Sequence, residues 1–214
     1  MKRCVIVGGA DINNYEYIKS CLHNDDFIVF CDSGLKHLER LQVTPNLIVG
    51  DFDSHENPHL DVETIVLPCE KDDTDTMLAI KLGFERGYNR FTLYGCLGGE
   101  RFDHTLATCQ SLAYVTERGG QAIAYGEPGV KGKTLCVTML KNGSAEFPSA
   151  CEGHFSVFAY GGECHGVTLK NFKYEVSDVT LTPSFPLGVS NSFLCEKQGF
   201  VEVKDGTLLI VYYN

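Results

Sequence analysis

Short apolar runs rich in β-branched residues recur at Cys4–Val7, Phe27–Phe30, Leu47–Val49, Thr64–Leu67, Phe91–Tyr94 and Ala122–Ala124. They are continuous rather than alternating, the pattern of strands covered on both faces. Helix-period patterns lie between several of them. Thr76–Arg86 sets Met77, Ile80 and Phe84 on one face with Leu78 and Leu82 beside it, and Asp103–Glu117 does the same with Leu106, Cys109, Leu112, Ala113 and Val115. This alternation predicts βαβ units around a mostly parallel, Rossmann-like sheet, in which ligands bind beyond the carboxyl ends of the strands.

After about residue 130 the texture changes. Thr134–Leu140, His154–Tyr160 and Phe200–Lys204 are strand candidates with no convincing helix between them, and Val201–Val211 around Asp205-Gly206 predicts a hairpin. The stretch Gly126–Lys133, with its glycines, proline and lysines, predicts the linker. The expected organisation is an α/β domain over 1–128 and an all-β sandwich over 129–214.

Composition narrows the function. With 214 residues, 43% hydrophobic and 21% charged, the chain carries a globular core. A formal net charge of −10 argues against a nucleic-acid binder, which needs a basic face. No apolar run approaches a membrane span, and Met1-Lys2-Arg3-Cys4-Val5 leads into a strand rather than a signal peptide. The ten cysteines include no Cys-x-x-Cys pair and match no zinc template. They read as free thiols packed in apolar stretches, and the expected location is the cytoplasm.

Aspartates concentrate where strands are predicted to end. Gly50-Asp51-Phe52-Asp53-Ser54 follows one strand, and in an extended segment residues two apart face the same way, toward one metal. Lys71-Asp72-Asp73-Thr74-Asp75 precedes a helix; one N-cap accounts for one of these aspartates, not three. Gly98-Gly99-Glu100-Arg101-Phe102-Asp103-His104 joins a strand to a helix through glycines whose amides suit phosphate, with Arg101 as an anion fork. Asp32, in Cys31-Asp32-Ser33-Gly34, and Asp11 stand near two further strand ends. Two like charges about 4 Å apart repel by roughly 4 kcal/mol at an effective dielectric near 20. Converging carboxylates therefore call for Mg²⁺, which shares its coordination with substrate phosphates. Gly132-Lys133-Thr134 imitates the tail of a P-loop, but the required glycine is Glu127, so a Walker-type site is rejected. In the β-region, Gly188-Val189-Ser190-Asn191-Ser192-Phe193 supplies neutral groups suited to a heterocycle edge.

Taken in order, Cys31-Asp32-Ser33-Gly34-Leu35, Pro45 through Ser54, Lys71 through Asp75, Gly98 through Ala107 and Gly188 through Asn191 resemble the thiamine pyrophosphokinase family over most of the chain. The resemblance implies an ATP-dependent, Mg²⁺-using homodimer that makes thiamine diphosphate, with thiamine held at the subunit interface. It implies Asp51, Asp53 and Asp75 as metal ligands, and Asp32, Arg101 and Asp103 beside them at the reacting phosphates. Lys71, Asp72, Thr74, Gly98, Gly99 and His104 fall to the nucleotide, and Ser190, Asn191 and Ser192 to thiamine. Glu100 is inserted where the family often runs Gly-Gly-Arg, and Ser192 replaces a common acid. With no Trp in the chain, stacking on thiamine falls to a Phe or Tyr such as Phe193. The rivals are a pyrophosphokinase of another heterocyclic alcohol, such as a hydroxymethylpterin, and a non-catalytic thiamine sensor.

Overall fold

A computed structural model describes residues 2–52, 60–66, 72–128 and 132–214. The chain divides into two compact units, Met1–Glu127 and Pro128–Asn214.

In the first unit the apolar runs form β1 (Cys4–Val7), β2 (Phe27–Cys31), β3 (Leu47–Gly50), β4 (Glu63–Val66), β5 (Arg90–Tyr94) and β6 (Gln121–Pro128). All pair in parallel, in the order β6-β5-β1-β2-β3-β4. Every residue of β1 and β3 is buried, whereas the edge strand β4 is half exposed. Helices cover both faces. Helix α3 (Asp75–Glu85) packs on β1, β2 and β3, and Phe84 meets Phe91 with ring centroids 4.9 Å apart. Val5, Val7, Ile28 and Phe30 point the opposite way, into a cluster with Ile12, Tyr15, Ile18 and Leu41. That cluster draws on α1 (Tyr15–Cys21), a 3-10 turn (Asp32–His37) and the short α2 (Leu38–Leu41). Helix α4 (Phe102–Glu117) buries Leu112, Ala113 and Val115, but Leu106, expected on the apolar face, is 53% exposed. The reason lies one turn along, where Thr105 and Thr108 turn inward to bond the preceding loop.

The second unit is an antiparallel sandwich of β7 (Thr134–Phe147), β8 (His154–Ala159), β9 (Cys164–Lys170), β10 (Val176–Leu181), β11 (Asn191–Ser192) and β12 (Gly199–Tyr213). The expected hairpin at Asp205-Gly206 is not formed. β12 is one long strand, antiparallel to β7 along its length, with a register shift between Val203 and Thr207. Only Gly206 has positive φ (+115°) there, whereas a two-residue type I′ turn needs it at both central positions. Gly206 N donates to Asn142 Oδ1 at 2.8 Å, so the bend is shared with β7. The first half of β12 also pairs with β9 and the second with β8, which carries one strand through both layers.

Between the layers Phe155 and Phe172 stack at 4.2 Å, with Phe147 and Phe193 packed around them. Phe193 is therefore a core residue, 7% exposed, and not the stacking face expected for thiamine. Phe172→Ala is expected to destabilise this unit by about 3–5 kcal/mol, as large aromatic truncations in cores do. The shift of the urea midpoint measures it, and a loss under about 1 kcal/mol would show that the cluster re-collapses.

Candidate active site

The strand order reverses direction between β1 and β5, and a doubly wound sheet opens a crevice at such a point. Here the loops after β1 and β5 are zipped together beyond the strand ends. Gly8 N donates to Tyr94 O at 2.8 Å and Ala10 N to Gly95 O at 2.7 Å. Gly95 has φ +62°, and a Cβ there would stand 2.4 Å from Gly8 O, so no other residue fits.

Above this floor lies a cleft of about 860 Å³. The β1 loop contributes Gly8, Gly9, Ala10 and Asp11; the turn after β2 contributes Asp32, Ser33 and Lys36; the end of β3 contributes Asp51. Asp73, Thr74, Asp75 and Thr76 enter from the start of α3, and Gly98, Gly99, Glu100, Arg101 and His104 from the loop and first turn of α4. Asp32 is buried and has φ +20°, a costly conformation for a non-glycine residue. Gly50 lets the neighbouring chain lie against it, since a Cβ on Gly50 would stand 2.8 Å from Asp32 Cβ.

The structure thus brings Asp32, Asp51, Thr74, Asp75, Gly98, Gly99, Arg101 and His104 to one cleft. Other expectations change. Phe52 has φ +57°, so the chain past Asp51 is not extended and facing by alternation does not hold. Asp53 and Lys71 lie outside the described residues. Asp72 is exposed and does not line the cleft, whereas Asp73 does, with Lys81 Nζ held at 2.7 Å. The cap of α3 is Thr74, whose Oγ1 accepts from Met77 N at 3.1 Å.

Gly98 N donates to Thr105 Oγ1 at 2.9 Å, which commits that amide to the loop rather than to a phosphate. Asp103 does not line the cleft. It forks with Arg101, Nη2 to Oδ2 at 2.6 Å and Nε to Oδ1 at 3.0 Å, and this pairing lowers its carboxyl to about 2. Among the described residues the tight acidic group is His23, Asp25 and Asp26, away from this cleft, and Asp26 is bound to Arg3.

The sequence places Asp11 at a strand end, and the structure brings it to the cleft. The roles of Gly8, Gly9 and Ala10 in the β1 loop were missed, although Gly8-Gly9 directly after a strand was a usable signal. Behind that loop stands buried His37. Its Nδ1 is 2.7 Å from Tyr15 Oη and its Nε2 is 2.9 Å from Ala10 O, so the tautomer that fits accepts from the tyrosine and donates to the carbonyl. Burial pushes its pKa below the ordinary value, against the opposing bond to Ala10.

In the second unit a largely apolar pocket of about 270 Å³ is lined by residues including Val157, Leu169, Tyr174, Val176, Leu187 and Asn191. Asn191 is 4% exposed; its Oδ1 accepts from Tyr174 N and Ser192 N, and its Nδ2 donates to Tyr174 O at 2.7 Å. This amide holds the pocket wall in place. Ser190 has φ +63° and its N–H bonds Ser156 Oγ at 3.2 Å; neither Ser190 nor Ser192 lines the pocket.

Residues 18–124 match the family model described as "Thiamin pyrophosphokinase, catalytic domain", and residues 145–208 the one described as "Thiamin pyrophosphokinase, vitamin B1 binding domain". The chain belongs to the thiamin pyrophosphokinase family. It is 25% identical over 218 residues to the thiamine pyrophosphokinase of Bacillus subtilis (strain 168), covering 99% of this chain and 98% of that protein. Its fold is shared with the crystal structure of thiamine pyrophosphokinase from Bacillus subtilis, at TM-score 0.82 and 21% identity over 100% of this chain and 99% of that one. It is also shared with yeast thiamin pyrophosphokinase, at TM-score 0.78 and 17% identity over 100% and 86%. Membership in this family sets aside the pterin alternative. Among the described residues no helix is long and apolar enough to cross a membrane, and the nine described cysteines are free thiols.

Two outcomes follow for the residues that hold these sites. His37 favours its neutral form in the folded state, so its contribution is complete above the unfolded value of about 6.5 and is lost as pH falls below it. His37→Gln is expected to flatten that part of the acid dependence, read from melting temperatures at about pH 7.5 and 5.5; an unchanged slope would assign it to other groups. Asn191→Ala is expected to lower stability by about 1–3 kcal/mol by leaving Tyr174 N–H and C=O unpaired, measured by urea denaturation. Unchanged stability would return Asn191 to a purely ligand-facing role.

Proposed function

We propose that this protein transfers a pyrophosphoryl group from ATP to the hydroxyl of thiamine, giving thiamine diphosphate and AMP. The observation that carries the reading is an acid-lined cleft at the switch point of an α/β unit, in a chain whose two parts match the family's two domains in order. The thiamine hydroxyl attacks the β-phosphorus of ATP and AMP departs, a reaction governed by positioning and by neutralising oxygen charge.

The donor set fits Mg²⁺. Asp32, Asp51, Asp73 and Asp75 bring hard carboxylate oxygens to one cleft, and Mg²⁺ needs only one or two of them because phosphates and water complete its shell. When bound, the ion supplies charge neutralisation at the phosphates. We assign Asp51 and Asp75 to it, with Asp53 joining them from outside the described residues. Arg101 meets the triphosphate at the rim, His104 and Thr74 flank it, and Lys71 and Asp72 are placed nearby by sequence alone. For the proton of the thiamine hydroxyl, Asp32 is the better acceptor. Asp103 lies off the cleft, and with its carboxyl at about 2 it is a weak base.

The apolar pocket of the sandwich lies within the segment matching the vitamin B1 binding domain and suits the thiamine rings. Tyr174, 59% exposed, takes over the stacking role expected of Phe193. Asn191 borders this pocket and is the polar contact assigned to thiamine, whereas Ser190 and Ser192 do not line it and are placed near the ligand by sequence alone. The exposed Phe185 and Leu187 near this pocket support a homodimer, in which a second copy covers them. The reaction is placed in the cytoplasm, where free thiols persist.

The test is release of AMP and formation of thiamine diphosphate from ATP, Mg²⁺ and thiamine, followed by chromatography. Asp51→Ala is expected to lower kcat/KM by at least about a hundredfold while keeping the fold by circular dichroism, since removing a carboxylate relieves repulsion. Near-parental turnover in Mg²⁺ would remove Asp51 from the metal site.

A further inference from the structure

We propose that Lys36 is a phosphate-binding residue for ATP, and that Asp11 is an exchangeable partner that holds it in place until ATP arrives. The inference rests on the pyrophosphoryl-transfer reading for its ligand and goes beyond it in assigning this residue. ATP is an anion entering a cleft whose wall is crowded with carboxylates, so cations on that wall decide how well it is held. Among the described residues, the Lys and Arg side chains lining the cleft are Lys36 and Arg101. Arg101 is already forked onto Asp103, and both are largely exposed at the rim. Lys81 is held by Asp73 and does not line the cleft.

Lys36 sits deeper, with its side chain 35% exposed, and its Nζ is 3.2 Å from Asp11 Oδ1. Asp11 is 78% exposed, so the pair is screened and contributes little by itself. A triphosphate oxygen offers the ammonium a more highly charged acceptor than Asp11 does. The backbone beneath Lys36 is fixed. It follows Asp32 on the 3-10 turn, and Gly34 lies so close to β1 that an added Cβ would stand 2.2 Å from Val7 O. His37, the next residue, bonds Ala10 O, which ties the turn to the loop carrying Asp11.

Lys36→Met and Asp11→Asn break the same ion pair, and this separates the proposal from a structural role. A merely structural pair predicts the same effect from both. The phosphate role predicts opposite effects. Lys36→Met is expected to weaken binding of the α,β-methylene analogue of ATP about tenfold, while thiamine affinity changes less than about twofold. Asp11→Asn is expected to tighten analogue binding by about two- to threefold, because it removes both a competitor for Lys36 and a like charge facing the phosphates. Lys36→Arg is expected to restore most of the affinity. Titration calorimetry with Mg²⁺ present measures all of these without turnover. Analogue affinity in Lys36→Met within about twofold of the parent, or equal weakening in Lys36→Met and Asp11→Asn, overturns the proposal. A parent protein that binds the analogue but releases no AMP with thiamine overturns the activity reading, and the Lys36 comparison is still decided by the binding data.

Discussion

The site depends on two backbone hydrogen bonds, Gly8 N to Tyr94 O and Ala10 N to Gly95 O. Each ties the loop leaving β1 to the end of β5 and the loop beyond it, where the two halves of the sheet diverge. Without them the crevice would splay, and the side chains arriving from β2, β3, α3 and α4 would have no common floor. The bonds require Gly95 at positive φ, within a short distance of Gly8 O. They also require the Ala10 carbonyl to be held from behind, which buried His37 does. Chemistry built from aspartates is thus supported by backbone amides, a glycine and a neutral imidazole.

Much of the first unit was legible in the sequence because its strands are buried on both faces, and an apolar run flanked by glycine or aspartate marks such a strand with its end. Cys4–Val7 was read with its observed bounds, and Leu47–Val49 to within one residue. The side-chain geometry past those ends was less legible. Phe52 at positive φ removes the extended geometry on which the pairing of Asp51 with Asp53 was argued, Asp53 itself lying outside the described residues, and no local pattern announces a left-handed phenylalanine. The family resemblance implied Asp103 as a site acid, yet Arg101, two residues before it, turns back onto it. Gly98 looked like a phosphate amide, but a threonine seven residues on claims it.

The second unit was harder to read for a different reason. β9 is mostly buried but its apolar residues are interrupted by His165, Gly166 and Thr168, and β10 is mostly exposed with Ser177 and Asp178 within it, so neither shows a continuous apolar run. Asp-Gly within β12 has the composition of a tight turn, and only the pairing of both halves with β7 reveals a bend instead. Phe193 and Asn191 were chosen for chemistry they could offer a ligand, while the structure uses one as core and the other to pin Tyr174. Tertiary context decided these roles.

The course of β12 through both layers also sets an order of assembly. Leu135, at the start of β7, pairs with Tyr213, and Phe147, at its end, with Gly199. Neither layer of the sandwich can close until this late segment has been synthesised, so its folding must span long loops and is slow for its size. The α/β unit has every strand in hand by residue 128 and can settle while the rest emerges. During synthesis the cleft would therefore be formed on a chain whose sandwich still exposes its phenylalanine core, and that interval is when aggregation competes with folding.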